Sequence, residues 1–100
     1  MTDLCREMER FGKGIGSVPR YRIVEGLFSG PKTVSDLAKK TKLSQPLISQ
    51  HLRILKETGL VQDQRQGQEV VYTLNTERTI GLLKRLAEEL RPKKRRKSNV

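Results

Sequence analysis

Apolar residues recur mostly at helical spacing along the chain, with one short alternating stretch near its second third. Leu4, Met8 and Phe11 fall at i, i+4 and i+7, which predicts an amphipathic helix over Thr2 to Lys13. Gly12, Gly14 and Gly16 are expected to break it. Ser17 then suits the cap of a second helix, with Pro19 in the first turn, where a missing N–H does no harm. Val18, Tyr21, Val24, Leu27 and Phe28 fit a 3.6-residue period, and Gly30-Pro31 stops it. Thr33-x-x-Asp36 has the form of a capping box, with Asp in place of Glu or Gln. It opens a third, short helix to about Lys40, with Val34, Leu37 and Ala38 inward.

Thr41, Lys42 and Leu43 alone separate that helix from the next cap, Ser44. A fourth helix is predicted from Gln45 to Thr58, closed by Gly59, with Ile48, Leu52 and Leu55 as its buried stripe and Leu47 and Ile54 flanking it. Its other face carries Gln45, Ser49, Gln50, Arg53 and Lys56. Two short helices, a tight connection, and an outer face of amides, a hydroxyl and bases form a helix-turn-helix pattern. Leu60 to Gln64 and Glu69 to Leu74 then read as two strands around Arg65-Gln-Gly-Gln, with Val70, Tyr72 and Leu74 on the buried face. A β-hairpin in that place is a wing. A last helix runs from Asn75 or Thr76 to about Arg91, ended by Pro92. Its apolar stripe of Ile80, Leu82, Leu83, Leu86, Ala87 and Leu90 is wider than one small core needs. The expected class is mainly α with a β-hairpin wing.

Composition narrows the chemistry. One hundred residues suffice for one core, not two, and with 34% hydrophobic residues and no Trp that core gains from packing against a second copy. The domain is placed at 1–90. Net charge is +10, and residues 91–100 hold six bases and no acid, so they are expected to form a disordered basic tail beyond that domain. An anionic polymer is the default partner of such a chain. Any membrane span needs roughly 18 apolar residues and none stands here, so the expectation is a soluble, cytoplasmic, nucleoid-associated protein. One Cys and one His cannot assemble a four-ligand zinc site within one chain. No acid, base and nucleophile can be grouped, and there is no Gly-rich phosphate loop, so neither an enzyme nor a cofactor is expected.

The stretch from Arg20 to Leu74 resembles the ArsR/SmtB family of winged-helix regulators. The resemblance rests on Arg20-Tyr-Arg-Ile-Val, Val34-Ser-Asp-Leu-Ala, Leu43-Ser-Gln-Pro-Leu-Ile-Ser-Gln-His-Leu and Leu55-Lys-Glu-Thr-Gly-Leu-Val, completed by Arg65-Gln-Gly-Gln and Val71-Tyr-Thr-Leu. It implies four helices, the hairpin and a fifth helix, dimerised through the first and last helices. Leu4, Met8, Phe11, Leu82, Leu83, Leu86 and Leu90 are the interface residues expected on that basis. The family's usual metal sites are missing: the third helix begins Thr33-Val-Ser-Asp-Leu-Ala with no thiol, and Thr76 to Arg91 holds no His.

The residues expected at DNA are Ser44, Gln45, Pro46, Ser49, Gln50 and Arg53 on the fourth helix, with Arg65, Gln66 and Gln68 on the wing. A Gln amide can pair in bidentate fashion with adenine, and Ser can bond a base or a phosphate. Ser44 caps the helix, and Arg65 suits the negative potential of a minor groove. Flanking lysines position the protein without reading sequence. His51 lies at the edge of the buried stripe and reads as a packed or capping His. Cys5 is the one candidate redox sensor; its alternative is a small half-buried residue near a frayed end. The expected function is that of a homodimeric repressor on a partly palindromic duplex site. Two rivals stay open: a thiol-, redox- or ligand-responsive form of the same regulator, and a winged-helix interaction module that binds nucleic acid only non-specifically.

Overall fold

A computed structural model describes residues 2–92 of the chain. In it α1 spans Thr2–Ile15, α2 Val18–Gly26, α3 Val34–Thr41 and α4 Gln45–Glu57. The antiparallel hairpin β1 (Val61–Gln66) and β2 (Glu69–Leu74) follows, and then α5 (Thr76–Leu90). The basic tail proposed from the sequence lies, from residue 93 on, outside the described residues.

The core sits where α2, α3 and α4 meet. Ile23, Leu37, Ile48 and Leu55 are fully buried there, with Leu52, Leu27, Leu60 and Val61 beside them. At about 1.5–3 kcal/mol for each fully buried aliphatic side chain, this cluster outweighs caps worth about 1 kcal/mol apiece. The caps set where the helices start. Ser17, Ser44 and Asn75 each accept a backbone N–H from three residues on. Thr33 and Asp36 complete the predicted capping box, the Asp36 carboxylate accepting from Thr33 N–H at 3.0 Å and the Thr33 hydroxyl from Asp36 N–H at 3.1 Å. The bond from Thr33 N–H, and then the Thr33 side chain, hold the Asp36 carboxyl below its ordinary value.

Four sequence expectations need correction. The first helix does not break at Gly12; it continues to Ile15. Gly14 is inside it and buried, and a Cβ there would stand 2.7 Å from the Leu60 side chain and 2.8 Å from the Thr58 hydroxyl. Glycine at this position lets the α1 backbone lie against the end of α4, a tertiary demand and not a stop signal. On α2 the deepest residue is Ile23, which lay outside the expected stripe, while Val18, Tyr21 and Phe28 from that stripe are exposed. The hairpin turn is tighter than expected. Gln66 pairs with Glu69, leaving Gly67-Gln68 as the turn, and Gly67 takes φ 65°. Positive φ at the first central residue is the requirement of a type II′ turn, so Arg65 and Gln66 belong to β1. Lastly, Tyr72 and Leu74 pack against the core as alternation requires, but Val71, which alternation put outside, is the most buried residue of β2. β2 has partners on both edges: β1, and the backbone of Lys32, whose N–H and C=O exchange bonds with Tyr72 at 3.0 and 2.8 Å.

Candidate nucleic-acid interface

The helix-turn-helix turn contains no glycine. Lys42 takes the left-handed conformation there at φ 67°, an uncommon state for a residue with a side chain. Thr41 secures it from beneath. Its buried hydroxyl donates to Leu37 C=O at 2.7 Å and accepts from Leu43 N–H at 3.2 Å, while Arg22 donates to Thr41 C=O at 2.8 Å. The Thr41 hydroxyl and carbonyl and the Leu43 N–H are thereby paired. The turn delivers Ser44 as the cap of α4, its hydroxyl accepting from Leu47 N–H, with Pro46 in the first turn.

Because Ile48, Leu52 and Leu55 are locked into the core, the opposite face of α4 points to solvent. Gln45, Ser49, Arg53 and Lys56 recur at helical spacing along it and Gln50 flanks them, all exposed. Ser44 and Pro46 are exposed at its N-terminal end. Gln45 donates to the Ser35 hydroxyl at 3.4 Å, joining the two helices of the motif across their outer edge. Lys56 forms a 2.9 Å salt bridge to Asp63 of β1, which raises the Lys56 pKa and ties α4 to the hairpin. Arg65, Gln66 and Gln68 are exposed at the tip of the wing. The six expected residues of α4 thus share one surface of one helix, and the three of the wing form a separate group. Of the flanking lysines, Lys32 is engaged by the Ser29 hydroxyl and Gly30 C=O.

His51 is half-buried beside Arg20, whose Nη1 lies 3.4 Å from His51 Nδ1. Burial and the Arg20 charge push the His51 pKa down from its ordinary value. The sequence placed His51 correctly as a packed residue but carried no sign of Arg20, a partner thirty-one positions away.

A second surface lies on the other side of the core. An apolar groove of about 290 Å³ runs between α1, α2 and α5, lined chiefly by Phe11, Ile15, Tyr21, Phe28, Ile80 and Leu83. Val18 is 74% exposed and Phe28 62%. Of the residues expected at an interface, Leu83 and Leu90 are exposed, and Leu4, Met8, Phe11 and Leu86 are half-covered. Leu82 is the exception: α5 turns it into the chain's own interior, beside Phe11 and Leu60, so it is not part of the exposed stripe. The α1–α5 pair is fastened by Arg85 to Glu7 at 2.8 Å, a bond that lowers the Glu7 pKa. Cys5 is exposed on α1. Among the described residues no group of three or more His, Cys, Asp or Glu is gathered into a metal site. No described helix is long and apolar enough to cross a membrane.

A helix-turn-helix with a hairpin wing, whose second motif helix keeps its polar face open, defines the winged helix-turn-helix class of DNA-binding proteins. The family model for bacterial regulatory proteins of the arsR family matches residues 18–63. The transcriptional repressor SdpR of Bacillus subtilis is 39% identical over 69 residues, which cover 69% of this chain and 77% of SdpR. The chain belongs to the ArsR family of transcriptional regulators, which are not enzymes. Its fold matches that of HlyU from Vibrio cholerae with a TM-score of 0.71 at 34% identity, covering 86% of this chain and 97% of that one. A second match is Mb0332 from Mycobacterium bovis, described as a homodimeric winged helix-turn-helix DNA-binding domain. There the TM-score is 0.72 at 27% identity, over 96% and 93% of the two chains.

Proposed function

We propose that the chain is a sequence-specific transcriptional repressor, acting as a homodimer on a partly palindromic duplex site. The single observation that carries this reading is the exposed amide, hydroxyl and guanidinium stripe of α4, on a helix whose other face is fixed in the core. Gln45 and Gln50 present bidentate amides to base edges in the major groove, Ser49 bonds a base or a phosphate, and Arg53 contacts the backbone. Ser44 and Pro46 set the helix start, whose amide dipoles favour a phosphate. Arg65, Gln66 and Gln68 place the wing against the minor groove, and the basic run of 91–97 adds phosphate contacts without reading bases.

Two copies join through α1 and α5, with the groove residues of α2 beside them. The support is the uncovered apolar groove together with the homodimeric description of the Mb0332 domain. Repression is favoured over activation by the likeness to SdpR. Footprinting of the DNA upstream of the chain's own gene, in excess scrambled competitor, tests the reading. Two protected patches one helical turn apart are expected, about 10–10.5 base pairs centre to centre. Protection that vanishes in competitor contradicts it and favours a non-specific module.

A further inference from the structure

Arg20, near the start of α2, reaches two other helices with one guanidinium. Its Nε donates to Gly14 C=O at 2.9 Å and its Nη2 to Lys13 C=O at 3.1 Å. Both carbonyls belong to the last turn of α1, where a helix has no internal donors left and the dipole favours a cation. The third arm, Nη1, meets His51 Nδ1 on α4 at 3.4 Å. A guanidinium has no acceptor, so this contact is a hydrogen bond only with Nδ1 unprotonated and the proton of a neutral ring on Nε2. Burial and the neighbouring positive charge both favour that neutral ring. His51 directly follows Gln50, one of the two exposed amides of α4.

We propose that Arg20 is a positioning residue for DNA reading: seated on the last carbonyls of α1, it sets the rotation of α4 through the His51 ring. The proposal rests on the reading of α4 as the groove-entering helix. It makes the end of α1 and the reading face of α4 parts of one rigid unit. The planar fork of arginine serves three acceptors at once, and the single ammonium of lysine does not reproduce that geometry. A glutamine at 51 keeps an acceptor for Nη1; a leucine does not.

The test uses the full chain and the duplex it protects in footprinting. Operator and scrambled-duplex affinities are measured at neutral pH for the parent, Arg20→Lys, His51→Gln and His51→Leu, with melting temperature and sedimentation recorded for each. Arg20→Lys and His51→Leu should give up about tenfold or more of the operator preference, the scale of one misplaced bidentate base contact. Scrambled-duplex affinity and oligomeric state should stay close to the parent's, melting should fall by several degrees in Arg20→Lys and His51→Leu as the bonds are lost, and His51→Gln should retain the preference. If folded Arg20→Lys and His51→Leu discriminate as well as the parent, or if His51→Gln falls as far as His51→Leu, Arg20 is only a structural clamp and the proposal is overturned. A parent with no operator preference overturns the reading role of α4 as well.

Discussion

Helices α4 and α5 carry the same kind of amphipathic pattern and meet different fates. The stripe of α4 is finished by its own chain, with Ile48 and Leu55 at 0% exposure. On α5 only Leu82 is covered, while Leu83 stays 43% exposed and Leu90 73%. Periodicity therefore reports that a helix has an apolar face, not whose surface will cover it. α4 is held rigidly enough to present amides at fixed positions. α5, with α1 and the exposed edge of α2, leaves an apolar face uncovered by its own chain, the face proposed above to meet a second copy.

Substitutions on the two faces should separate folding from assembly. The largest effect is expected from Leu52→Ala, which opens a cavity in the core under α4 and should cost about 2–5 kcal/mol in denaturant unfolding. A loss well below 1 kcal/mol would mean that the reading helix is not locked as described. Leu83→Glu is the counterpart on α5. Its side chain faces the groove from an exposed position, so the protomer should stay folded. Dimer dissociation should become easier by about 2 kcal/mol or more, roughly thirtyfold in Kd by sedimentation. An unfolded variant would show that α5 belongs to the protomer's core instead.

Gln45→Ala and Gln50→Ala touch neither core nor groove. Each should weaken operator binding by about 1–3 kcal/mol, with scrambled-duplex affinity unchanged. Equal losses on both duplexes would reassign the two amides to phosphate contact. The smallest effect is at the start of α3, where Thr33→Ala should cost about 1 kcal/mol of stability. The same box makes a pH prediction. The Asp36 carboxyl titrates lower in the folded chain than its ordinary value of 3.8, so its contribution is present above that value and lost as pH falls through the lowered pKa. Asp36→Asn should flatten that part of an acid melting series, and an unchanged series would show that the box is not formed in solution.

Much of the reading half was legible in the sequence because its signals are local. Ser17, Thr33-x-x-Asp36 and Ser44 mark helix starts through side-chain oxygens that serve amides three residues on, and Ile48, Leu52 and Leu55 repeat on one face. What escaped depends on distant neighbours. Gly14 looks like a helix breaker until Leu60 and Thr58 are seen against it. Val71 alternates away from the core that Tyr72 and Leu74 pack against, yet it is only 9% exposed, which its own strand does not foretell. Tyr21 and Phe28 match the period of the α2 core residues, and only the placement of α1 and α5 shows that they border a groove. The Arg20–His51 pair joins helices that no spacing rule connects.

Two copies of α4 reading DNA sequence together leave a signature in the duplexes the chain prefers. Selection of duplexes from a random-sequence pool by the purified full chain tests it most directly. Enrichment of a two-fold symmetric motif is expected, its half-sites about 10–10.5 base pairs apart. An unenriched pool, or one asymmetric half-site bound by a single copy, would contradict it.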